Sequence, residues 1–506
     1  MISLDAALAY HAIADPTRTA VRYEGESISY AELLARAELL GAHLCRRGVQ
    51  RGDRVALLMK NSPAFLELAL AASLVGAVLL PMNYRLSREE ISYILDHAGA
   101  RILFADEELA GPRGFAVPCE IVDRAAQANS RRLSQGAEPA ARARSRFEPA
   151  DIFRLMYTSG TTDRPKGVIH SYANFYWKTL GQAIVLGLSA GNRLLVCGPL
   201  YHVGAFDLPG IGVLIFGGSL HLQRDFDADA VLDTIAQDRI DSAWMAPAML
   251  SRVLERPLGG RDLSSLRYCV GGGERTPESR ILQFSKVFPQ ARYIDSYGLT
   301  ETCSGDTFMP AGFEIAKLGS VGVAAPNVSI SIRDEAGAPL PAGAEGEICI
   351  AGPKVSPGYW RDPDRTRAAF FGAWLRTGDI GRLDDAGFLT LTDRRKDMII
   401  SGGENIASSE IERVVYLLPQ VQDVAVVGIP DERWGERPAA IVVVRPGTVL
   451  DFSELAAHCA RHLARFKLPV ALYLRDELPR NASGKVLKRQ IRADILAERQ
   501  AGQHHS

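Results

Sequence analysis

A stretch in the first third of the chain combines hydroxyl groups, glycines and a lysine in a pattern typical of phosphate binding. It reads Tyr157-Thr158-Ser159-Gly160-Thr161-Thr162-Asp163-Arg164-Pro165-Lys166-Gly167-Val168. Small hydroxyl residues and glycine let a backbone approach a polyphosphate closely, and a lysine adds a point charge. The stretch is not a Walker A loop, because that motif needs Ser or Thr directly after Gly-Lys. A Ser/Thr-rich turn without a ligand is the alternative.

Two further stretches place acidic or aromatic groups where a nucleotide and a metal would need them. Gly271-Gly272-Gly273-Glu274 follows an apolar run, and Asp295-Ser296-Tyr297-Gly298-Leu299-Thr300-Glu301 follows later. A glycine run after a strand is by itself a weak nucleotide signal. A carboxylate beside bound phosphates suits magnesium, which prefers oxygen ligands.

Three more candidates carry charge or an imidazole. Asp379, in Thr377-Gly378-Asp379, has the carboxylate that can accept hydrogen bonds from ribose hydroxyls. Arg394 stands within the charged run Asp393-Arg394-Arg395-Lys396-Asp397, and Lys485 lies in the terminal motif Leu478-Pro479-Arg480-Asn481-Ala482-Ser483-Gly484-Lys485-Val486-Leu487-Lys488. His202 stands in Pro199-Leu200-Tyr201-His202-Val203-Gly204. Taken alone, each of these residues is more often a surface charge or a core histidine than part of a site.

Together, and in this order, these motifs resemble those of the AMP-forming acyl-CoA synthetase family, within the wider adenylate-forming superfamily. The resemblance runs from about Ser29 to Arg492. It implies that ATP, Mg²⁺ and coenzyme A are used, and that a small carboxylic acid becomes an acyl-adenylate and then a thioester. The family usually has glycine where this chain has Asp163, a departure that affects the fine geometry of the loop.

The resemblance also implies a role for each candidate that binds nucleotide. In the family, the adenine stacks on the tyrosine matching Tyr297, and the threonine matching Thr300 binds the α-phosphate. The acid matching Glu301 holds magnesium. The residues implied in nucleotide or phosphate binding are Thr158, Ser159, Gly160, Thr161, Thr162, Lys166, Gly273, Glu274, Asp295, Ser296, Tyr297, Asp379 and Arg394.

Catalysis and coenzyme A binding are likewise implied by the resemblance. Lys485 would stabilise the charge that develops as the carboxylate attacks the α-phosphate. Thr300, Glu301 and His202 would complete the catalytic group, with His202 beside the acyl chain. Gly403 would line the pantetheine channel after the C-terminal domain rotates about a hinge near Lys396.

The identity of the acid is open at the level of sequence. Phe206, Trp244 and Met245 are candidates for an apolar wall, which favours a medium- or long-chain fatty acid, with an aryl or cinnamate-like acid as the alternative. Asp207 has two readings, as a contact for a polar acyl group or as a structural residue. Two other readings remain: an adenylase that loads a carrier protein, and a binding protein that has lost its chemistry.

Alternating helix and strand patterns predict the fold. Helical spacing from Ser29 to Val49 precedes an apolar run at Val55 to Met59, and the alternation continues along the chain. This order predicts α/β layers with mostly parallel sheets in a large domain, residues 1–395. A small, mobile α+β domain is expected at 396–506. Residues Ala125 to Arg146 have few large apolar groups, which predicts an exposed connection or, equally well, a solvated helix.

Bulk composition excludes several classes of protein. The 506 residues carry a formal net charge of -1, which gives no electrostatic footprint for nucleic acid. Seven cysteines form no Cys-x-x-Cys pair, so neither a zinc cluster nor a disulfide framework is expected. The apolar run Leu68 to Leu80 is too short for a membrane span. We therefore expect a cytoplasmic protein without an integral membrane segment, and a homodimer is an open alternative to a monomer.

Overall fold

The computed structural model describes residues 4–111, 114–133, 147–158, 165–274, 276–394, 397–401, 404–431, 434–480 and 484–503. In the larger part, the strands are β1 (Thr19–Tyr23), β2 (Glu26–Ser29), β3 (Arg54–Leu58), β4 (Val78–Pro81), β5 (Ala100–Asp106), β6 (Cys119–Val122), β7 (Ile152–Thr158), β8 (Lys166–Ser171), β9 (Arg193–Val196), β10 (Ser219–Leu222), β11 (Ser242–Met245), β12 (Tyr268–Gly271), β13 (Arg292–Asp295), β14 (Thr307–Phe308), β15 (Val323–Ala324), β16 (Ser329–Arg333), β17 (Gly346–Ala351), β18 (Phe370–Phe371), β19 (Trp374–Leu383) and β20 (Leu389–Arg394). The remaining strands are β21 (Ile399–Ser401), β22 (Glu404–Ile406), β23 (Val421–Asp431), β24 (Gly435–Val444) and β25 (Ala471–Leu474).

Helices connect these strands. The α-helices are α1 (Leu4–Ala14), α2 (Tyr30–Arg46), α3 (Pro63–Leu74), α4 (Arg88–Ala98), α5 (Glu107–Ala110), α6 (Arg124–Ala128), α7 (Tyr172–Leu186), α8 (Val203–Asp207), α9 (Ile211–Ile215), α10 (Ala228–Asp238), α11 (Pro247–Leu254), α12 (Glu278–Val287), α13 (Pro363–Ala368), α14 (Ser408–Val415), α15 (Phe452–Ala460) and α16 (Lys488–Gln503). Short 3₁₀ turns occur at Ser130–Arg132, Thr300–Thr302 and Arg465–Lys467. No helix in the described ranges is both long and apolar enough to cross a membrane.

Two large sheets, mostly parallel, form the body of the molecule. One has seven strands in the order β13-β12-β11-β9-β10-β1-β2, and the other has six in the order β6-β5-β3-β4-β7-β8. Only the edge pairs β1–β2 and β7–β8 are antiparallel in these sheets. Parallel strands need crossover connections, and helices supply them along this chain. The predicted α/β class with largely parallel sheets is confirmed.

Helix α3 shows why these layers hold together. Ser62 accepts a hydrogen bond from the Phe65 amide and caps the helix, while Pro63 occupies its first turn. The helix is buried along almost its whole length, and Phe65 shares one core cluster with Val21 of one sheet and Val55 of the other. An apolar helix with little amphipathic character is stable only when neighbours cover every face.

Two further sheets, mostly antiparallel, and the antiparallel pair β14–β15 complete the chain. Strands β16, β17, β19, β18 and β20 form one sheet of the larger part, and β22, β21, β24, β23 and β25 form the other. In the second sheet, β25 pairs in parallel with β24. The expected domain boundary, between 395 and 396, lies outside the described residues and stays a prediction. The strands on its two sides belong to different sheets.

One expectation for the connecting segments is wrong in part. Helix α6 begins at Arg124, and Ala126 and Gln127 are only 3% and 1% exposed. Asp123 caps this helix, and the Gln127 amide donates to the Val122 carbonyl. A small side chain and a satisfied amide can be buried without large apolar groups, so composition alone misjudged this stretch. Residues 134–146 of the predicted connection lie outside the described part.

Candidate active site

A cleft of about 1520 Å³ collects most of the predicted residues. The carboxyl ends of parallel strands supply its floor, as is general for open α/β sheets. Thr158 ends β7, the loop after β12 contributes Gly273 and Glu274, and the loop after β13 contributes residues 296–301. From the C-terminal sheet and its helices come further lining residues, including Lys485. Residues distant in sequence therefore meet in one cleft between the two parts of the chain.

At the end of the cleft predicted to bind phosphate, a lysine contacts a carboxylate. The Lys166 ammonium donates to Glu301 Oε1 at 2.8 Å and to the Tyr359 hydroxyl at 2.8 Å. Tyr359 in turn donates to the same carboxylate oxygen at 3.0 Å. Burial would raise the pKa of Glu301, but Lys166 and Tyr359 hold it below its ordinary value. Glu301 is thus an ionised oxygen ligand suited to magnesium.

The hydroxyl of Thr158 supports phosphate binding at the same place. Its oxygen is buried, lines the cleft and has no hydrogen-bond partner within the described ranges. A buried hydroxyl without a partner costs free energy, and a phosphate oxygen would satisfy it. Ser159, Gly160, Thr161 and Thr162 lie outside the described residues, as does Asp163.

At the end of the cleft predicted to bind the nucleoside, a tyrosine and a carboxylate are hydrogen-bonded to each other. The Tyr297 hydroxyl donates to Asp379 Oδ2 at 2.7 Å, and both residues line the cleft. Burial, followed by the charge of Asp379, raises the pKa of Tyr297 well above its ordinary value, so the phenol remains a donor. Arg394 stands opposite Asp379 in the β19–β20 pair. Its side chain is not among those described.

Asp295 and Ser296 differ in their relation to the cleft. Asp295 is buried, does not line the cleft, and accepts a hydrogen bond from the Ser296 amide at 3.1 Å. Ser296 lines the cleft, but its hydroxyl donates to the Thr307 carbonyl at 2.8 Å. Asp295 therefore orders the turn, and Ser296 presents its backbone to the cleft.

Glu274 contacts the C-terminal part of the chain. The Arg480 guanidinium lies 3.4 Å from both Glu274 carboxylate oxygens and donates to Asp423 Oδ2 at 2.7 Å. It also donates to the Gly484 carbonyl at 2.6 Å, directly before Lys485. Burial raises the pKa of Glu274 although Arg480 and Lys485 oppose it. Arg480 lies in the terminal motif, but the sequence motifs predicted no role for it.

His202 and Lys485 line the cleft together. His202 Nδ1 accepts a hydrogen bond from the Gly204 amide at 3.1 Å and so caps α8. Burial, followed by the positive charge of Lys485, lowers the pKa of His202 to about 4. The imidazole is therefore neutral near pH 7. Lys485, in the terminal motif, is therefore close enough to His202 to influence the pKa of its imidazole.

Behind the cleft wall lies a buried cluster of charges. Asp207 forms ion pairs with Arg154 and, at 3.1 Å, with Lys178, and none of the three side chains is more than about 1% exposed. Arg154 also donates to His170 Nδ1 at 2.9 Å, and His170 Nε2 lies 2.6 Å from the Thr300 carbonyl. Burial would raise the pKa of Asp207, but Arg154 and Lys178 lower it. Of its two readings, the structural one applies to Asp207.

Of the three predicted wall residues, Trp244 lines the cleft, whereas Phe206 and Met245 do not. Phe206 is buried beside Arg154, whose guanidinium carbon lies 5.3 Å from its ring centre. Met245 packs in a separate core cluster beneath α10 and α11. Alternation along strand β11 sends Trp244 to one face and Met245 to the other, so only one of the pair can face the cleft. Gly403, the predicted channel residue, lies outside the described residues.

The described part of the chain has no group of three or more His, Cys, Asp or Glu side chains that could hold a metal alone. A magnesium ion at Glu301 would therefore take its other ligands from phosphate oxygens and water. When bound, such an ion neutralises phosphate charge. All seven cysteines are free thiols.

These features define an enzyme that activates a carboxylic acid with ATP. The sequence model of the AMP-binding enzyme family matches residues 8–360, and that of the AMP-binding enzyme C-terminal domain matches residues 410–485. The chain belongs to the AMP-binding enzyme family. The predicted resemblance is confirmed.

Proteins named for their activity are similar to this chain over nearly its whole length. A feruloyl-CoA synthase from Amycolatopsis sp is 37% identical over 94% of this chain and 96% of its own length. The o-succinylbenzoate CoA synthetase of Bacillus subtilis, solved with its acyl-adenylate, is 31% identical with a TM-score of 0.86 over 96% of this chain and 97% of that one. The same enzyme has been solved with ATP and magnesium, at a TM-score of 0.84 over 96% and 98% of the two chains and 30% identity. A fatty acyl CoA synthetase from Mycobacterium tuberculosis is 32% identical, with a TM-score of 0.77 over 98% and 99% of the two chains.

The predicted reaction class is confirmed by these findings. The protein is an AMP-forming acid–thiol ligase that uses ATP, Mg²⁺ and coenzyme A. A carboxylate is a poor electrophile because oxide is a very poor leaving group. Adenylation replaces that leaving group with AMP and releases pyrophosphate, after which a thiol can attack the acyl carbon. Lys485, Glu301 and Asp379 remain the proposed groups for the first step.

Proposed function

We propose that the acid joined to coenzyme A by this enzyme is aromatic. The observation that carries the proposal is the pair of flat rings at the cleft wall. The rings of His202 and Trp244 are 6.3 Å apart between centres and within 26° of parallel. Both line the cleft. Flat walls of this kind suit a planar acyl group, because offset stacked rings attract each other beyond simple burial.

Two glycines make room for the indole of Trp244. A Cβ atom at Gly204 would lie 2.2 Å from Trp244 Cζ2, and one at Gly198 would lie 2.6 Å from Cζ3. Any larger residue at either position would push the ring aside. The two glycines thus leave space for the large, rigid side chain of Trp244 in the cleft wall. A flexible acyl chain would need only small apolar side chains at this position.

Neutral histidine supports the same proposal. With its pKa lowered to about 4, His202 presents an uncharged ring to the acyl group near pH 7. An imidazolium would attract solvent and anions into an apolar site. Among the relatives, the feruloyl-CoA synthase and the o-succinylbenzoate CoA synthetase are named for acids of the proposed class. The predicted alternative of an aryl acid is therefore preferred to a fatty acid.

A fatty acid is the second candidate, because a fatty acyl CoA synthetase is also among the similar structures. Pyrophosphate release should be measured with ATP and Mg²⁺ against two panels, one of benzoic, phenylacetic and cinnamic acids and one of straight-chain acids from C6 to C16. Each acid is tested with coenzyme A, with a holo-carrier protein that bears phosphopantetheine, and with no thiol.

We expect turnover with aryl acids that depends on coenzyme A. Faster turnover with straight-chain acids would overturn the proposal in favour of the fatty-acid candidate. Turnover only with the carrier protein would change the acceptor but leave the acid class standing. A Lys485→Ala variant reports whether the measured pyrophosphate comes from this site, and the exposed residue Lys286, changed to Ala, is the matched control.

A further inference from the structure

Helix α7 carries a buried amide without partners. Gln182 is 1% exposed, and neither its amide nitrogen nor its carbonyl oxygen has a hydrogen-bond partner anywhere in the described ranges. Its hydrogen-bonding groups are those of a primary amide, two N–H donors and one oxygen acceptor. Burying such a group unsatisfied is costly, and native interiors rarely do so unless a water or ligand supplies the partner.

This amide stands directly behind the wall of the cleft. A Cβ placed on Gly305 would lie 3.1 Å from Gln182 Nε2 and 3.1 Å from Leu208 Cδ1. Leu208 and Ser304, the neighbour of Gly305, both line the cleft. The amide, the leucine and the loop of residues 303–305 therefore converge at one place, and only the small size of Gly305 lets them do so.

Basic groups predominate behind this place. Lys178 precedes Gln182 by one helical turn, so the two side chains share a face of α7. Lys178 and Arg154 share the single carboxylate of Asp207. His170 adds no charge near pH 7, since burial lowers its pKa to about 3. An environment with two basic groups for one acid favours an electron-rich oxygen over a cation.

We propose that Gln182 is the polar end of the acyl pocket and hydrogen-bonds an oxygen substituent on the part of an aromatic acid farthest from its carboxylate. A hydroxyl group fits best, because it can accept from the amide nitrogen and donate to the amide oxygen at once. This inference rests on the proposed aromatic substrate and adds its substituent. A buried water that satisfies the amide without contacting substrate is the competing explanation.

The preference for a hydroxylated acid tests the inference. The values of kcat/KM are measured for cinnamate and for its 2-, 3- and 4-hydroxy derivatives, with the parent enzyme and with Gln182→Met. We expect the parent to prefer one hydroxylated isomer by on the order of tenfold to a hundredfold, because sites built to bond a hydroxyl discriminate strongly against its absence. In Gln182→Met this ratio should fall to about one.

A matched control and a second variant keep the test sharp. Gln127, equally buried in α6, already donates to the Val122 carbonyl, so Gln127→Met should leave the ratio unchanged. Gln182→Glu keeps an acceptor and removes the amide donors. It should retain preference for the hydroxyl isomer and lose any preference for the corresponding methoxy acid, which can only accept.

The outcomes separate the inference from the function beneath it. If aryl acids are activated but the parent shows no preference among the isomers, or Gln182→Met keeps that preference, the amide binds only water and the inference is overturned alone. If straight-chain acids are used and no aryl acid is, the proposed function and the inference both fall.

Discussion

Replacing Lys354 with methionine should destabilise the large domain by about 3–5 kcal/mol, because it leaves a buried carboxylate uncompensated. The Lys354 ammonium is only 2% exposed and donates to the carbonyls of Ser304 and Gly305, each at 2.7 Å. It also forms an ion pair with Asp306 Oδ1 at 2.8 Å. Asp306 is itself fully buried. One lysine therefore offsets the charge of a carboxylate and donates hydrogen bonds to two consecutive backbone carbonyls.

The backbone that this lysine holds is conformationally demanding. Cys303, Ser304 and Gly305 have φ values of 57°, 67° and 65° in succession, all in the left-handed region. Non-glycine residues there cost of order 1 kcal/mol or more each and need surrounding contacts to persist. Since Ser304 lines the cleft, we expect Lys354→Met also to raise KM for the acid more than KM for ATP.

The measurement is urea unfolding of the parent, Lys354→Met, Asp306→Asn and the double variant. The double variant should lose less than the sum of the two singles, by about 1–3 kcal/mol, because it removes the unpaired charge. The pair of Lys317 and Asp384, 2.6 Å apart with side chains 34% and 42% exposed, provides the control. Lys317→Met should cost no more than about 1 kcal/mol.

The pH dependence of this difference is a second check on the same reasoning. Burial raises the pKa of Asp306, and Lys354 opposes that rise. Without the lysine the carboxyl must take up a proton to fold, which becomes easier as the pH falls. The deficit of Lys354→Met should therefore narrow between pH 7.5 and pH 5.5. Equal unfolding midpoints for Lys354→Met and the parent, or a deficit that widens at low pH, would refute the argument.

Three further predictions address catalysis and pH. Lys485→Ala should slow single-turnover pyrophosphate release by about 10²–10³-fold with ATP affinity kept, since it removes a cation aimed at developing charge; unchanged turnover would remove Lys485 from the first step. Glu274→Gln should weaken the contact with Arg480 by about 1 kcal/mol and slow adenylation about fivefold. Thioester formation from supplied acyl-adenylate should proceed at the same rate as in the parent. An equal effect on both steps would argue against a contact that forms in only one orientation of the C-terminal domain. Burial lowers the pKa values of His170 and His202 to about 3 and about 4, below those of the unfolded chain. The unfolded state therefore binds more protons, and the free energy of unfolding should fall as the pH drops from about 6.5. A urea midpoint that rises on acidification, compared with that of His170→Asn, would contradict this prediction.

The motifs alone were sufficient to predict the reaction class. Phosphate, magnesium and nucleoside binding each require particular functional groups, and a run such as residues 295–301 carries several of them within one turn. Such local sets stay close together in any fold. Alternating helical and strand patterns predicted the parallel sheets for a similar reason, since each element is defined by the period of its own apolar residues.

The residues that sequence reasoning missed act through contacts distant in the chain. Tyr359 meets Lys166 and Glu301 across gaps of 193 and 58 residues, and Arg480 meets Glu274 across 206. Nothing near Lys354 in the sequence marks it as a buried clamp. A Gly-Tyr pair at 358–359 and the arginine within the terminal motif were the only local signals, and neither specifies a partner.

The sequence by itself determined which chemical groups are present and which short segments position them. Only the tertiary structure decided that Asp207 neutralises buried cations instead of meeting substrate, that Trp244 and not Met245 faces the cleft, and that Gln182 is left without a partner. The physical reason is that burial, pairing and free hydrogen-bonding capacity are properties of a residue's surroundings. Those surroundings are assembled from segments whose proximity no local pattern encodes.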